Sequence, residues 1–345
     1  MKKLRQGVMA PALAIICLAA GATGTSTADA EEIGLGGLDS MMRGVGVMPA
    51  LEAIFAANSR SPIVPRFRPI RLATLKTQPE QNARLSSPRR FGRRALLDLS
   101  LSQLRQGKTA VPPVFLSQFP SNLTTSKSPR QRKAIFIKTV LPLVLRANHE
   151  VRMERQRMLS LILQTSDESG LTPAQQAFLD QLAEQYEVPG TDLTELQRRV
   201  DVIPASLALA QGAEESGWGT SRFARLGNAV FGQRTFRKGA GLVPLRREQG
   251  KRHEVKAFNS LYTSVRAYVW NLNTHFAYGK FRKQRAAFRN GGQPLDGYAL
   301  TGTLNRYSER GQKYIKTIRI IMRANRLHDF DDVELLPEPG NGQPS

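Results

Sequence analysis

Two adjacent carboxylates, Glu214 and Glu215, close a small, apolar stretch that begins at Pro204. Leu207, Ala208, Ala210, Gly212 and Ala213 suit a buried helix, and consecutive residues on a helix point roughly 100° apart. One acid can then be solvated while the other lines a cleft. Gly217-Trp218-Gly219 follows at once. A glycine in that place takes a left-handed cap and ends the helix. Glu215 is thereby put in the last turn, at the negative end of the helix dipole. That position, with partial burial beside Trp218, disfavours the ionised form and raises the pKa. A carboxylic acid that keeps its proton near neutral pH is what a general acid for glycoside cleavage requires. The plain alternative is an ordinary helix-end carboxylate, and the buried helix around Glu215 argues against it.

Other chemistries find less support. His149, His253, His275 and His328 are scattered, and none stands at metal-ligand spacing from acids, so neither a metal nor a cofactor is indicated. No glycine-rich phosphate loop follows a strand, and no serine elbow is present. Cys17 is the only cysteine and lies in an N-terminal apolar run, which leaves the rest of the chain without thiol chemistry.

The elements that must position Glu215 come late in the chain. Residues 1–30 have the pattern of a signal peptide: Lys2, Lys3 and Arg5, an apolar run from Val8 to Ala20, then Ala28-Asp29-Ala30. Once the signal is cleaved, no stable membrane span is expected. The formal charge of +22 favours polyanionic partners. For an exported protein those are cell-envelope polymers in the periplasm rather than nucleic acid. Residues 31–125 are basic and rich in proline and glycine, which predicts a largely disordered arm that either tethers the protein to anionic envelope polymers or is only a solvated linker. Residues 126–200 carry helical spacing, opened by capping boxes at Ser128-Pro129-Arg130-Gln131 and Thr172-Pro173-Ala174-Gln175. Asp192 with Glu195 starts a further short helix. Residues 201–330 form the domain that holds Glu215, and residues 331–345 read as a flexible tail. Within 201–330, Gly241–Leu245 and His253–Phe258 have strand character and predict a small hairpin lobe. The fold class is α+β, mostly α: a helical lobe with a small β-hairpin lobe, and a cleft between them suits an extended substrate.

The run from Pro204 through Gln211, Glu215, Trp218 and Gly219, followed by Asn228-Ala-Val-Phe231-Gly232, resembles the bacterial glucosaminidase family, glycoside hydrolase family 73. Asn271-Leu272-Asn273-Thr274-His275, Ala277-Tyr278, Phe281-Arg282-Lys283, Tyr307-Ser308, Gly311 and Tyr314 are similar to its Bax branch. The resemblance implies a lysozyme-like fold and an endo-β-N-acetylglucosaminidase acting on the glycan strands of peptidoglycan. It assigns the general acid to Glu215 and substrate contacts to Gln211, Trp218, Gly219, Asn228, Phe231 and Gly232. The family tyrosine falls on Tyr307.

A second carboxylate, which some members place in the hairpin, has two candidates, Glu248 and Glu254. A solvated charge is the competing reading for both. If neither reaches Glu215, the substrate's own N-acetyl group takes that role, with Tyr307 helping to stabilise charge. The separation of the carboxyl groups decides between direct retention and water-mediated inversion. A lytic transglycosylase on the same fold and a catalytically silent wall-binding protein are the alternatives.

Overall fold

The computed structural model describes residues 93–164, 170–190, 192–235, 237, 239–244 and 254–337. The expected signal peptide, residues 31–92 of the basic arm, Glu248 and His253 lie outside the described residues.

Part of the stretch expected to be a disordered arm is folded. Helices α1 (Arg93–Leu97), α2 (Leu101–Arg105) and α3 (Asn122–Thr125) fall inside the stretch expected to be a disordered arm. Leu96, Leu104, Val111 and Leu123 there are at most 2 % exposed. Val111 also forms a parallel bridge with Leu335: its N–H donates to Glu334 O at 2.9 Å, and Leu336 N–H donates to Val111 O at 2.8 Å. Residues up to 337 of the expected flexible tail are therefore built into the fold as well. Cations and prolines hid these segments. Apolar residues in extended chain need no helical period to be buried, so periodicity did not reveal them.

Helix α4 (Pro129–Gln164) spans 36 residues. Its predicted cap is half formed. Gln131 N–H donates to Ser128 Oγ at 3.4 Å, while the Gln131 side chain accepts from Ser126. Phe136, Val140, Leu143, Val144, Ala147 and Val151 make the buried face, as their spacing predicts. Helix α5 (Pro173–Gln185) has the complete capping box, with Thr172 and Gln175 bonded both ways. Helix α6 (Leu193–Arg199) is capped by Asp192, which accepts from Glu195 N–H at 3.0 Å.

The short segment after α6 is held by a buried charge cluster. Asp201, 3 % exposed, pairs with Arg289 at 2.9 Å and lies beside Arg285 and Arg155. Arg285 is fully buried and donates to the carbonyls of Asp201, Val202 and Arg198 and to Asn273 Oδ1. The guanidinium presents five donors in a fixed fork and reaches these four acceptors at once, more than the three donors of a lysine could serve.

Helix α7 (Ala205–Ser216) follows, then α8 (Arg222–Gly227) and a three-stranded antiparallel sheet. The strands are β1 (Arg234–Thr235), β2 (Gly241–Leu242) and β3 (Glu254–Lys256), with β3 central. Thr235 faces Glu254, and Leu242 faces Val255. The strands are shorter than the expected hairpin, and β1 joins it as a third. Helices α9 (Leu261–Thr274), α10 (Gly279–Asn290), α11 (Gly297–Thr301) and α12 (Gln312–Ala324) complete the helical part. Helix α7 is enclosed by α4, α11, α12 and a 3₁₀ turn at Leu327–Phe330. The result is a mostly helical α+β fold with a small sheet inserted ahead of α9.

Candidate active site

Helix α7 carries Glu215, and almost every residue before it is buried. Its first turn is fixed from outside. Asp331 accepts from both Ser206 N–H and Ser206 Oγ at 2.7 Å, although burial pushes the Asp331 carboxyl up to about 6. Its end is fixed by backbone conformation. Gly217, Trp218 and Gly219 all have positive φ, at 56°, 58° and 79°. The predicted left-handed cap at Gly217 is present, and the left-handed turn continues through a tryptophan that rarely adopts it. Ser216, buried, accepts from Gly219 N–H at 2.8 Å and holds that turn. Gly219 admits no side chain: a Cβ would lie 2.7 Å from Leu123 and 2.9 Å from Phe119.

Glu215 is partly buried, whereas Glu214 pairs with Arg310 at 2.6 Å. Burial raises the Glu215 pKa; a hydrogen bond from Tyr314 opposes the rise, Glu214 adds to it, and Arg310 and Arg234 lower it. The net direction is upward, as the sequence predicted, and its environment includes a tyrosine cluster. Trp218 packs elsewhere, edge-on to Phe136 at 5.5 Å, with Lys133 Nζ 5.0 Å from its ring centre.

Behind the carboxyl runs a chain of hydrogen bonds. Tyr268 Oη donates to Gln211 Oε1 at 2.7 Å, and Gln211 Nε2 donates to Tyr314 Oη at 2.9 Å. The Tyr314 hydroxyl then interacts with Glu215. Gln211 lies one helical turn before Glu215 and is fully buried, so the network is built into the same helix face. Tyr307 stacks on Tyr314 at 5.5 Å and donates to Phe231 O at 3.3 Å. Tyr278 stands 5.9 Å from Tyr307, and its hydroxyl is pushed up to about 12, chiefly by burial.

The other wall is backbone. Gly232 has φ 60°, and a Cβ on it would sit 2.8 Å from Glu215 Oε2. Phe231, immediately before, is 2 % exposed and stacked on Tyr268 with ring centres 3.9 Å apart. With so little exposed surface, its ring packs into the wall behind Gly232. Asn228, also buried, caps α8 with φ 51° and donates to Phe258 O at 2.9 Å. It fixes the loop carrying Phe231 and Gly232. Gln211 likewise positions other groups, since its amide is engaged on both sides.

Glu254 is 6 % exposed, so it is not a solvated charge. Its two oxygens accept from Gly239 N–H at 3.1 Å and Gly241 N–H at 2.9 Å, which ties the β1–β2 turn to β3. From sequence, Tyr314 is only a position of the Bax-like motif, with no role assigned to it beside Glu215. A buried glutamine one turn before the acid was the available signal, because its amide requires partners.

A carboxyl with a raised pKa at the end of a buried helix, walled by a glycine loop beside a small antiparallel sheet, suits a glycosidase on a lysozyme-like fold. The glucosaminidase family, described as mannosyl-glycoprotein endo-beta-N-acetylglucosaminidase, matches residues 190–327. Over 236 residues the chain is 33 % identical to Protein bax of Escherichia coli (strain K12), covering 67 % of this chain and 76 % of that one. The chain belongs to the glucosaminidase family, in its Bax-like branch. No solved structure matches it.

Proposed function

We propose that this protein is an exported endo-β-N-acetylglucosaminidase that hydrolyses the glycan strands of peptidoglycan, with Glu215 as general acid. The observation that carries the reading is the Glu215 carboxyl itself: partly buried, raised in pKa, and set between Tyr314 and the Gly232 backbone. Glu215 protonates the glycosidic oxygen as the bond to the anomeric carbon breaks. Glu254 is engaged by two backbone N–H groups and Glu248 lies outside the described residues, so the nucleophile assigned in this reading is the substrate's own 2-acetamido oxygen. It attacks the anomeric carbon to give a cyclic oxazolinium ion that keeps the amide proton. Water then opens that ring, and the Glu215 carboxylate takes the water's proton. Trp218 and Tyr307, both half-buried, are the aromatic groups left to meet sugar.

Substituting Glu215→Gln keeps the shape and removes the proton. Zymograms on purified peptidoglycan are expected to show clearing by the wild type and none by the variant, with matching circular dichroism. Clearing by Glu215→Gln would overturn the assignment. Fragment masses separate two chemistries: reducing ends report hydrolysis, and anhydro-sugars would report a transglycosylase.

A further inference from the structure

A second site lies on the α4 side of the molecule. We propose that the cavity bordered by residues 99–105, the start of α4 and residues 324–326 binds a ligand carrying clustered phosphate groups. Its volume is about 610 Å³. Glu215 is not among the residues that line it. The charged residues in its wall are Arg105, Arg130, Lys133, Lys138 and Arg326, and none of the lining residues is acidic. Ser100 and Ser102 add hydroxyl groups to the same wall.

Two carboxylates stand near this wall. Asp329 pairs with Arg326 at 2.8 Å and with Arg105 at 3.8 Å. Asp98 acts on Lys138, whose pKa is lowered mainly by burial. Two negative charges do not balance five positive ones, so the cavity keeps a cationic surplus. Pro129 and Arg130 open the 36-residue α4, so the positive end of a long helix dipole borders the same space.

Part of the wall is preorganised. Arg105 Nη2 donates to Asn325 O at 3.1 Å, its guanidinium lies 5.0 Å from the Phe330 ring centre, and its buried Nε has no hydrogen-bond partner. Guanidinium, ammonium and hydroxyl donors grouped this way suit oxyanions with several acceptor oxygens. The volume admits more than one phosphate group. Lys133 links the site to the helix end described above, because its ammonium also sits over Trp218. The inference does not depend on the glycosidase reading.

Trp218 supplies the reporter. The sequence holds two tryptophans, so the full chain carrying Trp270→Phe leaves Trp218 as the only emitter. Titration with sodium tripolyphosphate at fixed ionic strength is expected to give a saturable change in emission. Arg130→Gln with Arg326→Asn should weaken the affinity about tenfold or more, as expected for losing charge-assisted contacts. Asparagine is chosen at Arg326 because the backbone there is left-handed, with φ 49°. Lys280→Gln with Lys283→Gln removes the same charge from an exposed face outside the cavity and should leave the affinity within about twofold. A response that does not saturate, or equal weakening by both pairs, would refute the site. Retention on phosphatidylglycerol vesicles that fails only with the first pair would place the phosphates at a lipid surface. Tripolyphosphate binding without such retention would assign the site to a soluble oligophosphate.

Discussion

At the residue scale, Glu215 is governed by a balance of opposed influences, and its neighbours tune it in known directions. Burial and Glu214 raise its pKa, while Tyr314, Arg310 and Arg234 lower it. If the protonated form does the work, the rate falls as pH rises through this elevated pKa. Arg310→Ala removes a cation and leaves Glu214 unpaired, so both changes push the pKa further up. The alkaline limb of the kcat/KM profile should then move to higher pH, whereas Glu214→Gln should move it to lower pH. Opposite displacements would show that another group controls that limb. Gly232 is the second point of control. Alanine there meets Glu215 Oε2 at 2.8 Å and must adopt φ 60°. Gly232→Ala is expected to lose stability by ~1–3 kcal/mol and to cut turnover more than tenfold by displacing the carboxyl (~1.4 kcal/mol in barrier). Thermal melts and turnover on the same sample test both effects.

At the scale of elements, α7 is positioned as much by distant segments as by its own sequence. Asp331 caps its start, α12 supplies Tyr314, and the segment containing Phe119 and Leu123 packs beneath Gly219. That last contact ties the early basic region to the end of the helix that bears the acid. Gly219→Ala should therefore disturb residues 119–123 as well as the left-handed turn. A loss of ~2–4 kcal/mol is expected from backbone strain and overpacking together. Hydrogen exchange should show faster exchange at Leu123 N–H, which bonds Pro120 O at 3.0 Å. Unchanged protection there would mean that the segment does not depend on this contact. The sheet shows the same dependence in reverse: Glu254, a candidate second carboxylate from sequence, holds the β1–β2 turn through two backbone N–H groups.

For the whole molecule, the Asp201 cluster joins the helices before and after the site. Burial alone would raise the Asp201 pKa, but Arg285, Arg289 and Arg155 together hold it below the ordinary aspartate range. A carboxyl lowered on folding contributes stability above its unfolded pKa of about 3.9 and loses it as pH falls through the lower folded value. Acid unfolding should therefore draw on this cluster only under strongly acidic conditions. Asp201→Asn leaves the surrounding arginines without their counter-charge and is expected to cost ~3–5 kcal/mol. Urea titrations at neutral pH and at pH values below the aspartate range should converge for wild type and variant at the acid end. A constant difference across pH would place the effect in packing rather than charge.

The amino-acid sequence by itself determined the helix carrying Glu215, its left-handed stop at Gly217, the α5 capping box and the mostly helical class. Each of these depends on groups within a few residues of one another. Buried small residues, a glycine and a cap residue act through local backbone geometry, so their order in the chain is enough. The tertiary structure alone decided that Tyr314 meets Glu215, that Phe231 is wall, and that Glu254 serves the sheet. It also showed that residues 93–125 belong to the fold. These facts rest on contacts between residues far apart in the chain, such as Gln211 with Tyr314, 103 positions apart, and Arg105 with Asn325, 220 positions apart. Chain entropy opposes such contacts, and only the assembled core repays it. No local pattern of charge, proline content or hydrophobic period records where those partners meet.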